Sequence, residues 1–207
     1  MIRFLKHLAG GLVALTVMAA CAPAPDQIVD GAAKSETWSL LAEESGMTYI
    51  TVKNGDLAEI NTFRDISGNV SPDGDVEFEV SLSSVDTNNE IRDGRMKTIL
   101  FETGTFPRAK VSTKVDMTSL ETLAIGQSAT VLLDMNIDIH GHDMEKEFYV
   151  LATRLGANKV VVVNKAPLIL HADDFGFSDG LLKLQKLAGL DSITPVVPVT
   201  ASLVFTR

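Results

Sequence analysis

The sequence has a single cysteine, Cys21, so it cannot form an internal disulfide bond. It also lacks a basic excess, because 18 Lys and Arg residues face 27 Asp and Glu residues for a net charge of -9. A nucleic-acid-binding surface needs the opposite balance, which argues against such a partner. No internal repeat or low-complexity segment is present. The hydrophobic share of 45% and charged share of 22% are those of an ordinary globular domain.

Long apolar runs are absent as well. The apolar stretch from Leu8 to Ala20 has about a dozen residues, whereas a bilayer about 30 Å thick needs roughly twenty. Arg3 and Lys6 precede this stretch, and small residues follow it. This order is typical of a signal peptide and predicts one over residues 1–20.

The signal segment ends in "VMAAC", which resembles the bacterial lipobox. That resemblance implies lipidation of Cys21 and stable membrane attachment, because two or more acyl chains anchor a protein firmly. Ordinary cleavage nearby, with Cys21 a bystander, is the alternative. Ala22 in place of Asp favours the outer membrane, so we expect a bacterial periplasmic protein. Residues 21–36 carry Pro23 and Pro25 without periodicity, which predicts a flexible tether before a domain at 37–207.

The remainder of the chain shows the period-two alternation of half-buried strands. In "DVEFEVSL", for example, apolar residues alternate with Glu77, Glu79 and Ser81. About eight such segments in hairpin succession predict an all-β fold, an antiparallel barrel or sandwich. The predicted strands are "MTYITVK", "DVEFEVSL", "AKVSTKVD", "SATVLLDMNIDIH", "KEFYVLATRL", "NKVVVVN", "PLILHA" and "VTASLVFTR".

Two stretches break this pattern and predict helices, residues 88–102 and 180–190. In the first, we expect Met96, Ile99, Leu100 and Phe101 to face the barrel, and Arg92, Asp93 and Lys97 to face water. Such a helix could cover a barrel mouth or plug one end and complete the core. Physical reasoning alone favours the plug.

Signals for catalysis are weak. "GFSDG" at 176–180 matches the nucleophile elbow of hydrolases, but that fold needs a histidine after the serine, and the last histidine here is His171. No catalytic residue and no cofactor is therefore predicted. His140 and His142 could share one face of a strand and bind a metal ion together with Asp138. A small periplasmic metalloprotein is thus the alternative function.

Across the domain, the ordered motifs resemble those of the YceI-like family. "SVDTNNEIRDGRMKTILFETGTFPRAKV" is similar to its hallmark, a Ser-x-Asp-Thr turn leading to an Arg-Asp pair, a helix and a Phe-rich exit. "NIDIHGHDMEKEFYV" and "HADDFGF" follow in the family's order, and Trp38, Ser45, Tyr49 and Lys53 resemble its first strand. The matching hallmark residues are Ser84, Asp86, Thr87, Arg92, Asp93, Phe101, Phe106 and Pro107.

The resemblance implies an eight-stranded antiparallel, lipocalin-like barrel with one or two short helices at its mouth. It also implies a cavity for one long apolar chain, such as a polyisoprenoid, an isoprenoid quinone or a fatty-acid derivative. The expected partners are this lipid and the membrane. The oligomeric state stays open, with a homodimer as one option. From alternation, the predicted ligand-lining residues are Tyr49, Phe63, Phe78, Val80, Met96, Phe101, Phe148 and Val150.

Overall fold

A computed structural model describes residues 36–207. The predicted signal peptide, the lipidation site Cys21 and nearly all of the tether lie outside these residues. Among the helices of 36–207, none has the length and apolar character that crossing a bilayer requires.

Residues 36–207 form twelve strand segments and a few short helices. Helix α1 (Glu90–Arg95) runs directly into a π-helical turn (Met96–Leu100), and α2 (Met117–Glu121) and α3 (Ser178–Ala188) follow. Short 3₁₀ turns occupy Ala42–Glu44, Leu82–Ser84 and Ala172–Phe175. The strands are β1 (Trp38–Leu40), β2 (Gly46–Lys53), β3 (Leu57–Phe63), β4 (Ile66–Val70), β5 (Asp75–Ser81), β6 (Val85–Asp86), β7 (Arg108–Lys114), β8 (Ser128–Ile139), β9 (His142–Gly156), β10 (Lys159–Asn164), β11 (Leu168–His171) and β12 (Val196–Thr206).

These segments close into an eight-stranded antiparallel barrel, which confirms the predicted fold. The ring runs β1-β4-β5-β7-β8-β9-β10-β12 and closes where β12 pairs with β1, with Leu40 opposite Phe205. The other four segments extend this ring at one end: β2 pairs with β12 and with β3, β3 pairs with β6, and β11 pairs with β12. Every strand of the ring is paired on both sides, whereas β3 lies beyond the ring and pairs with β6 only through Thr62 and Phe63.

The strand prediction was incomplete and also wrong in one detail. It did not include β1, β3, β4 and β6: β1 and β6 have only three and two residues, and Arg64 and Asp65 separate β3 from β4. The predicted strands "NKVVVVN" and "PLILHA" do not take two separate positions around the barrel. They form β10 and β11, which pair with successive parts of the same strand, β12.

Both predicted helices are present. The first is α1 with its π-helical turn, and Asn89 caps it by accepting a hydrogen bond from the backbone N–H of Arg92 at 3.1 Å. The second is α3, which ends at Gly189 in the left-handed conformation that favours glycine. Together with the β2–β3 and β8–β9 turns, these helices cover one end of the barrel, the helix end. The opposite end, the Trp38 end, carries β1, α2 and the β9–β10 turn.

Candidate functional site: the barrel interior

The inner wall of the barrel is built by strict alternation. On β8, Leu133, Met135 and Ile137 face inward, and Leu132, Asp134 and Asn136 are exposed. The register continues on the next strand, where Leu133 pairs with Phe148 and Val131 pairs with Val150. Since residues that pair directly share a face of the sheet, the interior is lined mainly by apolar side chains.

Several inward-facing side chains are only half-buried. Residues in a close-packed core lose almost all their accessible surface, so these inward positions are less completely packed than the buried core. These positions are contributed by five different strands. They are Phe78, Val111, Leu133, Phe148, Val199 and Leu203.

All eight predicted ligand-lining residues lie on the inner wall or on the helix that covers it. Phe78 and Phe148 are half-buried, and Phe148 also borders a surface depression with Tyr149 and Lys165. The other six are buried. They are Tyr49, Phe63, Val80, Met96, Phe101 and Val150.

The helical insert, which consists of α1 and its π-helical turn, fills the helix end with apolar side chains. Met96, Leu100 and Phe101 are buried as predicted, whereas Ile99 is half-buried. A chain of aromatic contacts links the insert to the wall and to α3. Ring centroids are 5.3 Å apart for Tyr49 and Phe63, 5.8 Å for Phe63 and Phe101, and 5.7 Å for Phe101 and Phe177.

Helix α3 packs tightly against the π-helical turn through Gly180. A β-carbon at this position would lie 3.0 Å from the carbonyl oxygen of Ile99 and 3.2 Å from the Cα of Leu100. The glycine therefore permits a backbone approach that a larger residue would prevent. The insert and α3 form one cap over this end of the barrel.

A charged network lies under α1, and here the prediction that Arg92 and Asp93 face water was wrong. Arg92 Nη1 donates to Glu59 Oε2 at 2.5 Å, and its Nε donates to Thr87 Oγ1 at 2.7 Å. Asp93 Oδ1 accepts from the hydroxyl of Thr87 at 2.6 Å and from its backbone N–H at 2.9 Å. Both side chains turn toward Thr87 because this turn offers hydrogen-bond partners that the apolar core lacks.

Glu59 also pairs with Lys53 of the neighbouring strand. Burial alone would raise the pKa of Glu59, but the hydrogen bond from Lys53 and the charge of Arg92 together hold that pKa below its usual value. Lys53, Glu59, Arg92 and Asp93 thus form a network of two cations and two carboxylates.

Two further polar side chains face inward next to this network. Asn61, which is 3% exposed, donates from Nδ2 to Thr51 Oγ1 at 3.0 Å, whereas its Oδ1 has no hydrogen-bond partner within residues 36–207. Tyr49, directly opposite Asn61 on β2, donates its hydroxyl only weakly, to the sulfur of Met96 at 4.0 Å. Burial, with the nearby charge of Asp93, raises the pKa of Tyr49, so the phenol stays protonated.

The Trp38 end is closed by side chains of the strands themselves. The guanidinium of Arg207 lies 4.6 Å from the ring centroid of Trp38, a cation–π contact, and Arg207 pairs with Glu121 at 2.7 Å. Arg154 donates to three backbone carbonyls, those of Glu121, Gly156 and Ala157. This arrangement ties α2 and the β9–β10 turn to the barrel.

The prediction that His140 and His142 share a strand face was wrong. His140 has a φ of 58° and forms the two-residue β8–β9 turn with Gly141, whose φ is 76°. The His140 ring lies 4.2 Å from the Phe106 ring and 5.0 Å from the Phe177 ring, and its Nε2 is 3.0 Å from Glu102 Oε2. Within the described part of the chain, no three His, Cys, Asp or Glu side chains converge as metal ligands would.

The family model for the YceI-like domain matches residues 38–205. The chain belongs to the YceI-like family. A solved polyisoprenoid-binding domain from Saccharophagus degradans, implicated in plant cell wall breakdown, is 32% identical with a TM-score of 0.81. The match covers 82% of this chain and 98% of that domain.

A second similar structure is BcnA of Burkholderia cenocepacia. It is 14% identical with a TM-score of 0.62, and the match covers 80% of this chain and 98% of that protein. At this identity the likeness shows the fold alone. No curated protein matches the sequence significantly.

In this YceI-like domain, the hallmark residues meet around one turn. Ser84 Oγ accepts a hydrogen bond from the backbone N–H of Asp65 at 3.0 Å, and Asp86 pairs with Arg64. Thr87 joins Arg92 to Asp93, as described above. The "DFG" segment reaches the same end, where a β-carbon on Gly176 would lie 2.8 Å from His142 Nε2. The motifs therefore position the cap at the helix end of the barrel.

Sequence reasoning missed Glu59 and Asn61 as inner-wall residues. No strand was predicted at β3, in which Ile60 is 68% exposed and Asn61 is buried. The register with β2 fixes this orientation, since Asn61 pairs with Tyr49. The useful signal was the polar residue opposite an expected ligand-lining tyrosine.

Proposed function

We propose that this protein is a lipid-anchored periplasmic binding protein that holds one long apolar chain inside its barrel. The observation that carries the proposal is the inner wall, where apolar side chains face inward and stay half-buried. Membership in the YceI-like family and the 32% identity to a polyisoprenoid-binding domain support a polyisoprenoid or a related long chain as the ligand.

Burial of the apolar chain can hold the ligand in the barrel without any catalysed reaction. Each buried CH₂ contributes about 0.8 kcal/mol, so a forty-carbon chain has a nominal gain of about 30 kcal/mol. Ordering the chain and desolvating its ends offset much of this gain, because observed affinities stop near 18–21 kcal/mol. The protein therefore acts as a carrier or sequestering module, and catalysis has no part in the proposal.

The membrane attachment rests on the sequence "VMAAC" and on Cys21 as the protein's single cysteine. We expect Cys21→Ser to abolish labelling by radioactive palmitate and to release the protein from the membrane fraction. Unchanged labelling, or a variant that stays in the membrane fraction, would contradict the anchor without touching the barrel.

A matched pair of substitutions on β8 tests the cavity. Leu133 faces inward and is half-buried, and its neighbour Leu132 faces outward and is 42% exposed. Leu133→Trp should fill part of the cavity and lower the affinity for a fluorescent long-chain probe. Leu132→Trp adds the same group to the outer wall and should leave the affinity unchanged.

Equal affinities in the two variants would show that the probe does not occupy the barrel. The midpoints of thermal unfolding in the absence of probe, measured for both variants, separate lost binding from lost stability. A ligand that binds only the folded state also raises the midpoint of the wild-type protein.

A further inference from the structure

One buried acceptor inside the barrel lacks a donor. Asn61 lies on the inner wall, and its Oδ1 has no hydrogen-bond partner within residues 36–207. The orientation of the amide is fixed by its other end, since Nδ2 donates to Thr51 Oγ1 and lies 3.5 Å from the backbone carbonyl of Glu59, which can only accept. Leaving such a buried acceptor unpaired is unfavourable, so a group that donates to it stabilises the complex.

A neighbour of Asn61, Tyr49, offers a hydrogen-bond donor beside the unpaired acceptor. Tyr49 is directly opposite on β2, so the two β-carbons are about 4.5–5.5 Å apart on the same inner face. The tyrosine hydroxyl needs an acceptor, and the one that residues 36–207 offer it is a thioether 4.0 Å away. Met96 supplies that thioether from the π-helical turn, and its unbranched, flexible side chain can move aside when a ligand enters.

The charges near this pair are balanced. Lys53 and Arg92 share the carboxylate of Glu59, and Asp93 lies beside Arg92 on the same helix. An anionic group placed here would have to compete with Glu59, which already pairs with both cations, and would be repelled by Asp93. The surroundings therefore favour a neutral polar group.

We infer that Asn61 and Tyr49 form a subsite for a neutral hydroxyl head group, so that the bound chain is a long-chain alcohol. The head group lies at the helix end, where it donates to Asn61 Oδ1, and the apolar chain extends toward the Trp38 end. This inference rests on the proposed function, because it assigns the chemistry of one end of the same ligand.

The proposed subsite should bind four ligands that share one chain, an alcohol, an aldehyde, a hydrocarbon and a phosphate, with different affinities. An alcohol can donate to Asn61 and accept from Tyr49. An aldehyde or quinone carbonyl can only accept, so it leaves Asn61 unpaired, and a hydrocarbon leaves both groups unpaired. A phosphate adds a charge next to Glu59 and Asp93.

The test measures displacement of a fluorescent lipid by geranylgeraniol, geranylgeranial, geranylgeranyl phosphate and the matching hydrocarbon. We expect wild-type protein to bind the alcohol about tenfold more tightly than the aldehyde, since one buried hydrogen bond separates them, and to bind the hydrocarbon more weakly still. Asn61→Leu should reduce the ratio of alcohol to aldehyde affinity to near one, because both ligands then only accept from Tyr49. The control Asn136→Leu, on the exposed face of β8, should leave this ratio unchanged.

Equal wild-type affinities for the alcohol and the aldehyde, or an unchanged ratio in Asn61→Leu, would overturn the hydroxyl subsite. Tightest binding of the phosphate would overturn it as well. In each of these outcomes the ligands still bind, so the proposed function stands. Displacement by none of the four ligands would overturn both. If Asn61→Leu does not fold, the wild-type comparison of alcohol and aldehyde decides.

Discussion

The two ends of the barrel are closed in different ways. At the Trp38 end, the closing side chains belong to the first, ninth and last strands and to the C-terminus, and Arg154 binds three backbone carbonyls there. At the helix end, the closing side chains belong to an insert between β6 and β7 and to α3. The insert contains a π-helical turn, a form that is rare and often found at functional sites.

This difference suggests that the Trp38 end keeps the barrel closed and that the helix end opens for the ligand. Opening the Trp38 end would break the pairing of strands that close the ring. Opening the helix end requires only that the insert and α3 move. Asn61 and Tyr49, the polar groups proposed to bind a ligand head group, lie beneath them. We therefore expect ligand to enter and leave at the helix end.

The largest expected difference between the ends is in hydrogen exchange. Backbone amides of 90–102 and of α3 should exchange on the order of a hundredfold faster than those of β9 and β12 near the Trp38 end, because segments that admit ligand open locally. Native-state exchange followed by NMR measures both sets in one sample. Equal protection at both ends would instead make the insert a permanent plug.

A smaller effect is expected from loosening the cap. Gly180→Val places a side chain against Ile99 and Leu100 and should lower the free energy of unfolding by about 1–3 kcal/mol, the usual cost of overpacking. It should also speed ligand release. The control is Gly94→Val in α1, where nothing lies within 4 Å of the added β-carbon. If both variants have the stability of the wild type, α3 does not hold the insert.

The smallest effect concerns pH. The pKa of Glu59 is lower in the folded protein than its ordinary value of 4.5, so its ionised form stabilises the fold at neutral pH. This contribution is fully present above pH 4.5 and is lost as the pH falls through the lowered folded-state pKa. Wild-type protein should therefore lose more stability between neutral pH and pH 3 than Glu59→Gln does.

Urea unfolding at several pH values measures this difference. The control Glu77→Gln removes an exposed carboxylate from the outer face of β5 and should follow the wild-type curve. A Glu59→Gln curve parallel to that of the wild type would show that the charged network does not stabilise the helix end.

The sequence was informative where one rule dominated. Alternation on β9 predicted that Phe148 and Val150 face inward, because a long strand paired on both sides leaves no other choice. The rule gave no prediction for β3, where pairing with β2 directs Glu59 and Asn61 inward and leaves Ile60 exposed. It failed at His140, because a two-residue turn interrupts what reads as one strand.

These failures lie at the helix end, where polar groups replace apolar ones on the inner wall. A polar residue at an inward position contradicts the pattern from which inward positions are predicted. Its role becomes visible only when the partner strand fixes the register. The same holds for Arg92 and Asp93, whose partners Glu59 and Thr87 lie on different segments.

Native mass spectrometry of the soluble domain, residues 37–207, tests the central claim most directly. The account predicts a complex with one long-chain lipid, which organic extraction releases and identifies, and a thermal midpoint that falls after the lipid is removed. A ligand-free mass, no thermal shift with polyprenols, quinones or fatty acids, and an experimental structure with the barrel filled by side chains would contradict it.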